Sequence, residues 1–188
     1  MVTLRPIVFD IDGVLADFVC GFIRLAEGIL KHQVKQKTHD TCWNDFGLTD
    51  SEIDLVWVEV KKQERLFWRY LPALANTKDF AELRCLNDQR EIYFVTNRVG
   101  EKAKLQTEQW LASYGIPKPT VILSNKKVDI ANAVGASHII EDKLENVLNG
   151  ACYGIKCYLI DRPYNQTDLP IPRVKTLSQF FEAVREGR

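Results

Sequence analysis

From Thr77 onward the chain alternates stretches of helical periodicity with short apolar runs, and this alternation limits the fold more than any other feature. Ile92-Tyr93-Phe94-Val95, Val121-Ile122-Leu123, His138-Ile139-Ile140 and Lys156 to Ile160 are the short runs. They are too short for helices and too continuously apolar for strands with one wet face, so they read as strands buried on both sides. Helical patterns separate them: Phe80 to Leu86, Glu101 to Tyr114 closed by Gly115, Lys127 to Val134 stopping at Gly135, and Leu144 to Leu148. Thr176-Leu177-Ser178-Gln179 opens a last helix, and Ile7-Val8-Phe9 near the start supplies a fifth strand. The expectation is an α/β fold, a doubly wound parallel five-stranded sheet with helices on both faces.

Between the first strand and Pro72 the pattern differs. Phe18, Phe22, Ile23, Leu25, Ala26, Ile29 and Leu30 recur at helical spacing, and Lys31 to Asp40 reads as a loop. Thr49-Asp50-Ser51-Glu52 matches a capping box and opens a second helix to about Glu64. No strand is expected here. The main domain therefore comprises 1–16 and 72–188, with 17–71 as a helical insertion after strand one, and 188 residues suffice for one sizeable core with that insertion. The segment from Asp161 to Val174, with Pro163, Pro170 and Pro172, reads as a surface loop; Tyr164 or Asn165 could approach the site from it, but neither is assigned to the site.

Ligands of open α/β sheets bind at the carboxyl ends of the strands, near the point where strand order reverses. The residues at those ends carry chemistry. Asp10 and Asp12 follow strand one on the same side of an extended backbone, and Gly13 permits a sharp turn. Thr96 and Asn97 follow the second strand, Lys127 the third, and Glu141-Asp142 the fourth. An EF-hand is excluded, because Leu15 and Gly21 stand where its Gly and Glu are required. Carboxylates held together need a cation or a proton, and Mg²⁺ with oxygen ligands suits them.

Phosphoryl transfer needs this set, since there the enzyme positions reactants and neutralises charge. Asp10 is the nucleophile and forms an aspartyl-phosphate. Mg²⁺ held by Asp10, Asp142 and the backbone carbonyl of Asp12 lets two anions approach, and Lys127 adds positive charge. Thr96 donates to the phosphate. Asp12, kept protonated in the ground state by its acidic neighbour, protonates the leaving alcohol and later activates water.

Asp10-Ile11-Asp12-Gly13-Val14-Leu15, Thr96, Lys127 and Glu141-Asp142, spanning residues 5 to 160, resemble the four motifs of the haloacid dehalogenase-like (HAD-like) phosphohydrolases. The resemblance implies a Rossmannoid core, Asp142 as direct Mg²⁺ ligand and Glu141 bound through water. Lys126 competes with Lys127, and the spacing to Asp142 favours Lys127. The insertion resembles that family's small helical cap. Asp17-Phe18 and Leu66-Phe67-Trp68-Arg69-Tyr70-Leu71-Pro72 resemble the branch of 5′(3′)-deoxyribonucleotidases, as does Thr107-Glu108-Gln109-Trp110-Leu111 ahead of Gly115-Ile116-Pro117. One departure is Asn97-Arg98, where the animal enzymes carry Ser-Pro. In that branch aromatics matching Phe18 and lying near Phe67 and Trp68 surround the base.

Base stacking on aromatic rings is worth roughly 1 to 3 kcal/mol. Phe18, Trp43, Phe67 and Trp68 lie at helix ends or in loops and are the candidates for it, whereas Phe22, Trp57 and Trp110 sit on helical apolar faces and are assigned to packing. The expected activity is Mg²⁺-dependent hydrolysis of nucleoside 5′-monophosphates, deoxyribonucleotides included. Two alternatives stand beside it: a phosphatase of another small metabolite such as a sugar phosphate, and a catalytically idle nucleotide- or protein-binding module.

Twenty-five basic and 25 acidic residues give a formal net charge of zero with no basic run, which argues against a nucleic-acid polymer and for a small-molecule nucleotide partner. No stretch is long and apolar enough for a membrane span, and the N-terminus enters a strand without a leader pattern, so a cytoplasmic location is expected. Cys20, Cys42, Cys85, Cys152 and Cys157 contain no Cys-x-x-Cys pair and read as reduced thiols, and His32, His39 and His138 lack ligand spacing. The sequence does not address oligomeric state.

Overall fold

The computed structural model describes residues 4–35, 46–62 and 66–187. Six strands, β1 (Ile7–Phe9), β2 (Ile92–Thr96), β3 (Thr120–Leu123), β4 (His138–Glu141), β5 (Lys156–Ile160) and β6 (Arg173–Val174), form one parallel sheet in the order β3-β2-β1-β4-β5-β6. The chain first runs outward from β1 through β2 to β3, then returns to lay β4 on the other side of β1. Strand order thus reverses at β1, and the crevice above its carboxyl end lies between β2 and β4. Phe9 pairs with both Phe94 and Ile140, so Asp10 emerges level with the ends of both neighbours.

Alternation along the strands builds two cores. Ile7, Phe9, Phe94 and Ile140 join the larger apolar cluster, whereas Val8, Val95, Ile139 and Leu159 face the smaller one on the opposite side. Helices α3 (Thr77–Gln89), α4 (Ala103–Ser113), α5 (Lys127–Ala133), α6 (Leu144–Ala151) and α7 (Leu177–Arg185) connect and cover the strands. Ala131 of α5 and Val147 of α6 pack into the smaller core, and Phe80, Leu83, Trp110 and Phe180 of α3, α4 and α7 into the larger. Asn76 and Asp79 cap α3 reciprocally, and Thr176 caps α7. After α4, Gly115 takes φ +83°, the left-handed conformation the sequence placed there.

Two more helices fill the insertion: α1 (Phe18–Leu30), whose Asp17 side chain accepts from the Cys20 N–H at 2.9 Å, and α2 (Asp50–Lys61), with Thr49 and Glu52 as its capping box. Lys62 is already extended, so α2 stops short of the expected Glu64, which lies outside the described residues. The chain leaves and re-enters the sheet side by side. Ala16 bridges Ala73 in antiparallel fashion, and Asp17 N–H donates to the Pro72 carbonyl at 2.8 Å.

The sheet corrects the expected strand count from five to six. β6 is only two residues long and follows Pro170 and Pro172, a spacing that reads as loop, yet Arg173 and Val174 pair in parallel with Leu159 and Ile160. Among the described residues no helix is long and apolar enough to cross a membrane.

Candidate active site

The crevice at the strand-order reversal opens into a cavity of about 840 Å³ lined by residues of both the sheet end and the insertion. That volume suits a nucleotide-sized ligand. Asp10, Asp12, Thr96, Asn97, Lys127 and Asp142 line its floor, and Phe18, Ile23, Phe46, Trp57 and Trp68 its upper wall.

Asp10 is 3% exposed and sits against the Lys127 ammonium at 2.5 Å, with the Ile11 N–H donating to its Oδ1 at 2.7 Å. Lys127 also reaches both oxygens of Glu141, at 3.0 and 3.2 Å. It stands at the start of α5, buried, whereas Lys126 is exposed. Asn146 Nδ2 donates to Glu141 Oε2 at 2.7 Å. Asp10, Glu141 and Asp142 bring ligand oxygens within 4.8 Å of one another.

Burial works against all these charges, and their neighbours decide the outcome. Burial raises the Asp10 carboxyl, but the Lys127 charge and the hydrogen bonds outweigh it and hold Asp10 below its ordinary value. Burial together with the Asp10 charge pushes Glu141 well above its own. Asp142 rises to about 6 for the same two reasons. Burial lowers Lys127, yet Asp10 and Glu141 overcompensate, so it stays a cation.

Asp142 is tied down by a segment that the sequence reading left as loop. Tyr164 donates its hydroxyl to Asp142 Oδ2 at 2.6 Å, and Asn165 Nδ2 donates to the Asp142 carbonyl at 2.7 Å. Arg173 of β6 holds Asn165 through its side-chain and backbone oxygens at 2.9 and 2.7 Å. The unexpected strand therefore supports a clamp on Asp142. Gly13, at φ +82°, completes it, since a Cβ there would overlap both Asp142 Oδ2 and the Tyr164 hydroxyl. Arg162 Nε donates to the Gly13 carbonyl at 2.7 Å and closes the turn.

The other oxygen of Asp142, Oδ1, is buried with no hydrogen-bond partner. A buried, unpaired carboxylate oxygen beside two further acids is the donor set of a hard divalent cation, so Mg²⁺ fits here.

Asp12 does not join that group. Its side chain turns toward Arg98: Nη2 donates to Oδ1 at 2.7 Å and Nε to Oδ2 at 3.0 Å, while Thr96 Oγ donates to Oδ2 at 3.2 Å. The sequence reading offset the acid pair with a proton on Asp12. The structure adds a guanidinium, its side chain wholly buried, against both oxygens of Asp12, a counter-charge for the carboxylate left whenever that proton is given up. Arg98 entered the sequence reading only as a departure from Ser-Pro. An Arg immediately beyond a buried strand end was the available signal.

Of the proposed base contacts, Phe18 is half-buried and Trp68 is buried, and both line the cavity. Phe18 is stacked against both Trp57 and Trp68, with ring centroids 6.0 Å apart in each pair. Trp57, assigned to packing, therefore belongs to the wall. Phe67 is buried edge-on against Phe18 and Trp68 and does not line the cavity. Trp43 lies outside the described residues.

Fold and site together define a HAD-like phosphohydrolase. Solved structures of this class superpose over nearly the whole chain. YfnB of Bacillus subtilis, a HAD-hydrolase solved bound to magnesium, matches with a TM-score of 0.64 at 16% identity, over 97% of this chain and 99% of that one. The L-2-haloacid dehalogenase PA0810 matches with a TM-score of 0.60 at 13% identity over 96% and 99%. A HAD-superfamily hydrolase of Geobacter sulfurreducens matches with a TM-score of 0.64 at 12% identity over 96% of each. These identities speak for the fold. No curated protein matches the sequence closely enough to count as a relative. Residues 4–183 match the family "5′ nucleotidase, deoxy (Pyrimidine), cytosolic type C protein" (NT5C), and the chain belongs to that family. It is an enzyme, a HAD-like phosphatase.

Proposed function

We propose that this protein hydrolyses nucleoside 5′-monophosphates, deoxyribonucleotides included, with Mg²⁺ and through an aspartyl-phosphate on Asp10. The observation that carries the reading is the single cavity joining Asp10, Thr96 and Lys127 to the aromatic wall of Phe18, Trp57 and Trp68. A phosphate set against Asp10 leaves the rest of a nucleotide facing those rings. The insertion 17–71 acts as the cap that carries them.

In the first half-reaction an Asp10 oxygen bonds to phosphorus, the bond to the leaving oxygen breaks, and that oxygen takes the proton that Asp12 keeps from the water of the preceding turnover. In the second, Asp12 takes a proton from water, the water oxygen bonds to phosphorus and the Asp10–phosphorus bond breaks. Lys127, Thr96 and Asn97 surround the phosphate oxygens. Asp10, Asp142 and the Asp12 carbonyl would hold Mg²⁺, and Glu141 would support it from beside them. When bound, the ion supplies positive charge that lets the phosphate approach the nucleophile.

Phosphate release from ribo- and deoxynucleoside 5′- and 3′-monophosphates, beside sugar phosphates, with Mg²⁺ or with EDTA, tests this reading. Mg²⁺-dependent turnover concentrated on 5′-nucleotides is expected. Turnover favouring sugar phosphates would retain the catalytic floor and discard the aromatic wall as a base site.

A further inference from the structure

The group that acts through Asp12 is absent from this scheme. Arg98 does not line the cavity, so it is out of a ligand's reach, yet both oxygens of Asp12 are in its grip. Burying a guanidinium is costly unless its donors are matched, and here the surroundings match them. Nε and Nη2 go to Asp12, and Nη1 donates to Thr107 Oγ at 3.0 Å. Thr107 in turn donates to the Ala103 carbonyl at 2.7 Å, which anchors it to the first turn of α4. The guanidinium lies over the Trp68 ring at 5.0 Å and the Trp110 ring at 5.8 Å. Those indoles are fixed too, Trp68 Nε1 donating to the Val99 carbonyl and Trp110 Nε1 to the Leu71 carbonyl.

We propose that Arg98 is the positioning residue of the proton-transfer step, a rigid fork that sets the direction of the Asp12 carboxyl, with Trp68, Trp110 and Thr107 holding the fork. A planar fork fixes both oxygens of a carboxyl, whereas an ammonium leaves them free to rotate about it. Thr96 supplies the release. Its hydroxyl has one hydrogen, now donated to Asp12 Oδ2, the longest of the three contacts. When that hydrogen turns to a phosphate oxygen, Oδ2 loses a donor on the cavity side while Arg98 keeps the carboxyl in place. Oδ2, carrying the proton kept from the preceding turnover, then faces the leaving oxygen. Trp68 also stacks on Phe18, so the support of Asp12 runs into the wall proposed to hold the base.

The inference rests on the acid–base role given to Asp12 above. Its test compares a nucleoside 5′-monophosphate, whose alcohol leaves only when protonated, with p-nitrophenyl phosphate, whose phenolate leaves without a proton. Arg98→Lys should lower kcat on the nucleotide about 100-fold, the scale of one acid–base contribution, with KM changed less than about threefold. On p-nitrophenyl phosphate the same variant should lose less than about fivefold. Thr107→Val, which removes one Arg98 partner at nearly constant volume, should show the same selectivity at several-fold size and guards against a misfolded Arg98 variant. In an Asp12→Asn background, Arg98→Met should cost the nucleotide reaction nothing further.

Equal losses on both substrates, or full additivity with Asp12→Asn, would make Arg98 a packing residue and overturn the inference. Wild-type protein that cleaves p-nitrophenyl and alkyl phosphates but no nucleotide would overturn the nucleotidase reading, and the comparison would then run on the alkyl phosphate. Wild-type protein that cleaves neither substrate would overturn both.

Discussion

Asp10 and Asp12 share a residue type, a strand end and a side of the backbone, yet the folded chain gives them opposite surroundings. Asp10 is buried among acids and answered by an ammonium that it shares with Glu141. Asp12, its side chain 23% exposed, stands at the cavity edge and is answered by a guanidinium on both oxygens. An ammonium is a compact point charge that can serve two carboxyls and still turn to a third anion, which suits a nucleophile about to meet phosphate. A guanidinium fork fixes direction, which suits a group that must present one oxygen to a leaving atom. In the proposed scheme the choice of counter-cation, more than the choice of acid, divides the labour between the two aspartates.

The largest effect should come from the nucleophile. Asp10→Asn should lower turnover at least about 10⁴-fold on every substrate, good leaving group or poor, while Asp12→Asn should lose about 10²- to 10⁴-fold on nucleotides and far less on p-nitrophenyl phosphate. Rates showing the same substrate dependence in both variants would erase the distinction. Next is the ammonium. Lys127→Met leaves buried carboxyls facing one another, so denaturant unfolding at pH 7.5 should show a loss of about 3 kcal/mol, with a smaller loss at pH 5 where the acids take up protons instead. An unchanged midpoint at both values would mean that Lys127 does not balance this site.

A third expectation concerns pH without metal. Asp142 binds its proton more tightly folded, at about 6, than unfolded, at 3.8, because of burial and the Asp10 charge. The stability it contributes is therefore complete below 3.8 and falls as pH rises toward about 6, by at most roughly 3 kcal/mol. Mg²⁺ displaces that proton, so the rise in Tm on adding Mg²⁺ should be larger at pH 7.5 than at pH 5. Equal rises would place the ion elsewhere. The smallest effect is expected from Tyr164→Phe, which removes the hydroxyl donated to Asp142. The Mg²⁺ concentration for half-maximal activity should increase about tenfold while kcat at saturating Mg²⁺ holds.

The sheet was legible because buried parallel strands announce themselves as short apolar runs, and residues just beyond such runs must gather at one edge. Asp10, Thr96, Lys127 and Asp142 meet in the structure by that logic. What stayed hidden lies in contacts between segments far apart in sequence. Arg98 reaches back to Asp12 across the sheet edge, and nothing local to Arg98 reveals its partner. β6 and the hold of Tyr164 and Asn165 on Asp142 share one cause. Two prolines disguised a two-residue strand, and without that strand Arg173 had no reason to hold Asn165 beneath Asp142. The aromatic wall was read by position along helices, which separates inward from outward faces but cannot tell a core from a cavity. Hence Trp57, on an apolar helical face, lines the cavity, while Phe67 packs behind it against Phe18 and Trp68.

The bridge between Ala16 and Ala73 means that the insertion begins and ends at one doorway. A change of length between those two ends therefore need not pull on β1 or on the register that sets Asp10 between its neighbours. One thread crosses that division: Trp68, on the returning side of the doorway, lies under the Arg98 guanidinium, so the insertion and the sheet end share a piece of their support.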